Sequence, residues 1–338
     1  MKVFFFSIGA ILIFSIRLSA QDIQFSQFYA APLYLNPAFT GSEEISRMGI
    51  NYRNQWPGLD YSFNAYSVYF DHFFENSNSS VGIIVNGSHE SLANINNMEV
   101  GFLYSYRLRL SESQFLNFGG QMSFVSRNAA FEQLVFGSQI DINRGTISGS
   151  NDFVPPQDSQ HYFTDLNFGM LWNRENMWLG VSAHHLTRPN LSYLEEENLI
   201  LPIKYSAHGG IRLDLPGGFI NDYFNNTLQE RAVFFAFNYK RQDPFNQLDI
   251  GSQIFFEPLI LGLWYRGLPV KYNLPNNESV IAQVGFALQS GLDIGYSFDF
   301  TTSKMGLRNS GGAHEVSIRY TFYNGDPYQR KPKLLPFF

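Results

Sequence analysis

Leu292-Asp293-Ile294-Gly295-Tyr296-Ser297-Phe298-Asp299-Phe300 alternates large apolar residues with small or charged ones along its whole length. Successive side chains of a β-strand point to opposite faces, so this spacing predicts a strand with one oily and one wet face. The period recurs at Val316, Ile318, Tyr320 and Phe322, set against Glu315, Ser317, Arg319 and Thr321. It recurs again at Val100, Phe102, Tyr104, Tyr106 and Leu108, set against Gly101, Ser105, Arg107 and Arg109. Few soluble folds need so many strands of this kind. A transmembrane barrel does, because hydrocarbon offers backbone groups no partner, and a spanning sheet must close on itself with its apolar side chains outward.

Composition agrees with a barrel and argues against a polytopic helical membrane protein. The 338 residues include 34 Phe and 19 Tyr, an aromatic content suited to girdles at two membrane interfaces. Mean hydropathy is -0.16, whereas a polytopic helical protein would show several apolar runs of about 20 residues. The one long apolar run, 3–16, follows Lys2 and precedes Leu18-Ser19-Ala20, which reads as a Sec signal peptide over 1–20. Loss of Lys2 and Arg17 would take the formal charge from -6 to -8, and an acidic chain argues against a nucleic-acid partner. There is no cysteine, so neither lipoprotein processing nor a disulfide is available.

Turn signals divide the rest into candidate strands at 46–55, 61–71, 80–89, 97–110, 114–127, 163–173, 176–186, 203–214, 231–241, 246–256, 258–268, 279–289, 291–301 and 313–323. The fold class expected is therefore all-β, an antiparallel barrel of about fourteen strands, an even number as bacterial single-chain barrels have. The expected organisation is a signal peptide (1–20), a periplasmic, plug-like segment (21–44), the outer-membrane barrel (45–323) and a periplasmic tail (324–338). Short periplasmic turns should alternate with longer external loops. Tight connections at 111–113, 173–176, 257–258 and 289–291 fall on one side, and long ones at 128–162, 187–202, 268–277 and 302–312 on the other. Connections 71–80 and 215–230 disobey, being long on the periplasmic side.

The phase of the alternation places Tyr104, Phe298 and Ile318 toward lipid. It places Arg53, Arg107, Arg109, Asp293, Asp299, Glu315 and Arg319 toward the lumen, where charges of both signs serve a wet interior, a selectivity ring or a binding wall. A wet lumen would tolerate substitution with little effect on folding.

Catalytic and metal chemistry find little support. His184 and His185 are neighbours in a strand and should face opposite ways, which disfavours a shared metal. Asp141-Ile142-Asn143-Arg144-Gly145 begins like a calcium loop, but its glycine comes one position early and the closing acid is missing. Glu195-Glu196-Glu197 reads as a solvated loop face, and neither a G-x-S-x-G elbow nor an H-E-x-x-H helix occurs. No enzyme activity and no cofactor is expected.

The segment Asp22-Ile23-Gln24-Phe25-Ser26-Gln27-Phe28, followed by Pro32-Leu33-Tyr34-Leu35-Asn36-Pro37-Ala38-Phe39-Thr40-Gly41, is too apolar for a free tail yet lacks strand alternation. It must pack against something, at the periplasmic mouth or in the interior of the barrel. Together with Tyr52-Arg53-Asn54-Gln55-Trp56-Pro57-Gly58 and the closing 312–322, it closely resembles the PorP/SprF family of outer-membrane proteins of the type IX secretion and gliding machinery. Phe39-Thr40 departs mildly from that family's commoner wording, which ends in N-P-A-Y-A-G. The resemblance implies a non-enzymatic role: export or surface anchoring of a client with a type IX C-terminal signal, such as a large adhesin, and contact with periplasmic components of the machine. Candidate partner-binding residues are Phe25, Phe28, Tyr34, Asn36, Pro37, Phe39 and Trp56. A passive or substrate-specific pore is the alternative, and both termini are expected in the periplasm.

Overall fold

The computed structural model describes residues 22–92, 94–129, 140–141, 146–147, 159–193, 198–215, 231–268, 277–303 and 306–322. The chain folds into β1 (Ser46–Gln55), β2 (Phe63–Phe74), β3 (Ser79–Glu90), β4 (Ile95–Arg109), β5 (Gln114–Ala129), β6 (Ile140–Asp141), β7 (Thr146–Ile147) and β8 (Ser159–Arg174). It continues through β9 (Met177–His184), β10 (Lys204–Asp214), β11 (Arg231–Gln242), β12 (Phe245–Phe256), β13 (Leu259–Gly267), β14 (Asn277–Ala287), β15 (Leu292–Thr301) and β16 (Ala313–Phe322). β6 and β7 pair only with each other, inside the connection between β5 and β8. The remaining fourteen strands form one closed antiparallel barrel of sequential neighbours, sealed where β1 pairs with β16. Closure leaves no unpaired edge, which is what a sheet in hydrocarbon requires.

Alternation sorts the two faces. On β16, Val316, Ile318, Tyr320 and Phe322 are exposed outward, while Glu315, Ser317, Arg319 and Thr321 are buried inward. The outward face is a band of exposed Phe, Tyr, Leu, Ile and Val around the wall, the surface that a bilayer covers. Tyr104 and Ile318 belong to it, and Phe298 stands half-buried on the same face.

The connections define two ends. At the loop end the chain leaves β1, β3, β5, β9, β11, β13 and β15. At the turn end it leaves β2, β4, β8, β10, β12 and β14, with 75–78, 110–113, 175–176, 257–258 and 288–291 as connections there. The long connection expected at 71–80 is absent, because β2 and β3 run on to Phe74 and Ser79. A tight turn closed by Asn78 in the left-handed region, φ 49°, joins them. Connection 215–230 is long at the turn end, and 216–230 lies outside the described residues.

Candidate functional site

Residues 22–45 form a strap inside the barrel. It contains a single helical turn, α1 (Pro32–Leu35), and a 3₁₀ turn at Pro37–Phe39. The strap runs the height of the lumen. Asp22 meets the loop-end residues His185, Lys204 and Gln242, while Gly41 and Glu44 meet Asp71 and Arg107 toward the turn end. Of the two placements expected, the periplasmic mouth and the interior, the structure has the interior, and the strap crosses from the end opposite the start of β1 before the chain turns back into that strand.

The wall grips the strap backbone with charge. Glu315 accepts from two successive amides, Ser26 at 2.6 Å and Gln27 at 2.9 Å. Arg53 bridges Asp299 at 2.9 Å and Glu315 at 3.4 Å and also donates to the Ser26 hydroxyl. Arg266 pairs with Asp249 at 2.7 Å and donates to the Phe25 carbonyl at 3.0 Å. Near the turn end, Asp71 accepts from the Gly41 amide at 2.6 Å, and Gly41 itself is at φ 66°, a conformation glycine adopts freely. Arg47 pairs with Asp71 and donates to the Phe39 carbonyl, and Arg107 pairs with Glu44 and donates to the carbonyls of Gly41 and Ser42.

Apolar side chains of the strap complete the filling. Tyr29 stacks on Trp264 with ring centroids 5.1 Å apart, and Phe28 meets the same indole edge-on. Phe39 packs against Trp178 and His208, Leu33 against Tyr69, Ile84 and Leu103, and Phe25 against Tyr34. Asn36 is the latch. Its side-chain oxygen caps the 3₁₀ turn at the Ala38 amide, 2.8 Å away, and its amide donates to the carbonyls of Met170 and Val181 at 3.1 Å each. Pro37 opens that turn with the φ its ring imposes. The wall yields to the latch through glycine: a Cβ on Gly119 would overlap the Ala38 backbone, and one on Gly169 the Asn36 side chain.

These positions revise the candidate sites. Phe25, Phe28, Asn36, Pro37 and Phe39 are buried inside the barrel and Tyr34 half-buried, so a partner outside it does not touch them in this structure. Trp56 sits at the loop end, half-buried, with its amide donating to the Gly312 carbonyl. Arg53, Arg107, Asp293, Asp299 and Arg319 are buried in the lumen, Arg319 pairing with Asp293 at 2.6 Å. Arg109 is exposed at the turn end, where the strand stops, and donates to the Ser111 carbonyl. Residues 142–145 and 194–197 lie outside the described residues.

A polar vestibule opens above the strap at the loop end. β9 ends at His184, and His185 at φ 61° lies in the left-handed region, so both rings line this cavity instead of facing opposite ways. His185 bridges Asp22 at 2.8 Å and Asp165 at 2.7 Å, and Lys204 reaches Asp22 at 2.6 Å. Burial alone would raise the Asp22 pKa, but the charges of His185 and Lys204 outweigh it and hold the carboxyl well below its usual range. Burial likewise works against a charged His185, yet the Asp22 charge and the hydrogen bonds to Asp165 and Asp22 push it up to about 9.

Sequence reasoning missed Asp22, Lys204 and the glycine slot. Asn-Pro ahead of a short apolar run is an N-cap followed by a first helical position, and that signal marks Asn36 as structural.

No curated protein matches this chain. Among solved structures it is similar to a FadL homologue of Pseudomonas aeruginosa, 12% identical, covering 85% of this chain and 93% of that one with a TM-score of 0.42. It is also similar to the outer membrane protein Omp33 of Acinetobacter baumannii, 7% identical, with 83% and 100% covered and a TM-score of 0.39. The family model described as type IX secretion system membrane protein PorP/SprF matches residues 18–320, nearly the whole barrel and its strap. The chain belongs to that family.

Proposed function

We propose that this protein is a non-enzymatic, non-conducting barrel of the outer membrane that supports export or surface anchoring of a type IX client, such as a large adhesin, by protein–protein binding at its ends. The observation that carries this reading is the filled lumen: 22–45 occupies its height and is tied to the wall by ion pairs of Asp22 and Glu44 near its two ends and by buried hydrogen bonds to its backbone between them. A passive or substrate-specific pore needs a continuous wet path, and the strap stands in it. With the longer connections outside, the loop end is the external surface, the turn end meets periplasmic components, and β16 ends toward the periplasm.

The test has two arms. Purified full-length protein in a planar bilayer should stay closed, and a strain lacking the gene should lose surface display of a client that carries a type IX C-terminal signal, with display restored by the full chain. Steady open conductance of the full chain, together with normal client display in the deletion strain, would establish the pore instead.

A further inference from the structure

We infer that the strap is a displaceable plug and that the barrel around it is a latent, water-filled pore that prefers small anions. The inference goes beyond the client-anchoring reading and takes from it only the closed, strap-filled lumen. A barrel widens with strand number, and about eight strands leave just the interior that side chains can fill. Fourteen leave more, and residues 22–45 occupy the surplus. The sheet closes without them. Among the described residues, every backbone-to-backbone hydrogen bond of the strap runs to the strap itself, as from Ala30 to Gln27 and from Leu35 to Ala31. Its polar ties to the wall each use a side chain on one partner or the other, so the strap can leave while all fourteen strands stay paired.

The wall that the strap covers suits water. Away from the apolar patches around Leu103, Trp178 and Trp264, its inward positions carry small polar groups, among them Asn51, Ser67, Asn117, Gln121, Ser206 and Ser297, all buried. The strap does not satisfy them all. Both polar atoms of the Asn51 side chain, the Ser67 hydroxyl and the Asn238 side-chain oxygen are shut away from solvent with no hydrogen-bond partner. Each unmet group costs free energy in the closed barrel, where apolar groups of the same shape would cost none. Water entering an open lumen would meet them and offset part of the loss on withdrawing the strap.

Charge sets the preference. Between 22 and 45 the strap carries three acids, Asp22, Glu43 and Glu44, and no Lys or Arg. Arg53, Arg266 and Arg319 pair with carboxylates of the wall itself and stay matched without the strap. So do Arg47, through Asp71, and His185, through Asp165. Arg107 near the turn end and Lys204 near the loop end instead lose the strap carboxylates they hold at 2.6 Å, Glu44 and Asp22. Glu99 stands near Lys204 but is held on its two oxygens by the amides of Asn86 and Gln121, each at 2.9 Å. Withdrawing the strap therefore leaves an uncompensated cation toward each mouth, and charged rings of one sign select ions of the other.

The test records the full chain in a planar bilayer under a KCl gradient, first without urea and then with urea below the concentration at which the barrel loses its heat-modifiable migration on gels. The strap has no strand ladder to protect it, so urea should convert a closed protein into one with reversible open steps. Their reversal potential should be displaced toward the chloride equilibrium potential. A chain lacking 22–44, shown by heat-modifiable migration to be a folded barrel, should conduct without urea and with the same preference. In that chain, Arg107→Gln together with Lys204→Gln should lower the chloride-to-potassium permeability ratio about twofold. If the shortened chain does not fold, the urea arm on the full chain decides alone. A folded strapless barrel that stays closed, a preference for potassium in either arm, or a full chain silent in urea until the barrel itself unfolds would overturn the latent pore alone. Steady conductance of the full chain without urea would overturn the closed-barrel reading and the plug together.

Discussion

The strap is held in different ways on the two sides of the lumen. Against β1, β15 and β16 it is held by charge: Arg53, Asp299 and Glu315 address the backbone and hydroxyl of Ser26 and the amide of Gln27. Against β5, β8 and β9 it is held by shape, where Gly119 and Gly169 leave room for Asn36-Pro37-Ala38 and the carbonyls of Met170 and Val181 receive the Asn36 amide. The charged side tolerates small displacements, since ion pairs fall off gradually with distance. The glycine side does not, because contact repulsion rises within a few tenths of an ångström. Position along the lumen is thus set by the glycine slot, and the charged side supplies much of the attraction.

The largest expected effect is on the charged side. Glu315→Ala removes the acceptor of two strap amides and leaves Asp299 as the one carboxylate paired with Arg53 among the described residues, and breaking such a buried pair costs about 3–5 kcal/mol. Thermal unfolding in detergent should register it. Full retention of stability would mean that the strap does not depend on that side. On the outer face of the same strand, Ile318→Arg near the midplane should cost about 2–4 kcal/mol. Arg319→Ile, which a freely wet lumen would absorb without effect, should also destabilise, because Arg319 is buried against Asp293.

The glycine side should respond less in energy and more in position. Gly119→Val forces a side chain into the Ala38 backbone, an overpacking worth about 1–3 kcal/mol. It should also displace the strap, read as increased cleavage of 22–45 by added protease. Gly120→Ala meets nothing within 4 Å and serves as the neighbouring control. Similar protease sensitivity in the two variants would refute the slot.

The smallest effect concerns the strap's loop-end anchor and pH. His185 titrates higher in the fold than unfolded, so its contribution is complete below about 6.5 and is lost as pH rises through about 9. Asp22 titrates lower in the fold, so its contribution is present above about 3.9 and is lost as pH falls through its lowered value. The anchor should therefore hold best in mildly acidic to neutral solution. His185→Gln should flatten the alkaline arm of a protease-sensitivity profile and shrink the acid arm, which Lys204 then sustains without the histidine, and an unchanged alkaline arm would remove His185 from the anchor.

The wall was legible because period two is a local signal. A strand such as Leu292–Thr301 states its two faces in its own residues, and connection 71–80 misled only because Phe73, Phe74 and Ser79 blur the alternation at a turn. The strap was legible as something that must be covered, but not as to where, since nothing within 22–45 encodes which end of a barrel it enters. Its partners lie up to 290 residues away in sequence, as Gln27 and Ser317 do. The two histidines were misjudged for a comparable reason: their opposition assumed a strand through His185, and a single left-handed residue ends it.

Arg53 and Glu315 are register partners across the seam where the first and last strands meet, and both bind Ser26. Zipping the cylinder shut and fastening what lies inside it are therefore one cooperative event. A chain that closes early, with the strap outside, brings Arg53 and Glu315 together without Ser26 and Gln27, and so closes its seam with the Glu315 carboxylate lacking its two strap amides. The strap in this sense acts as the gauge against which the final strand is fitted.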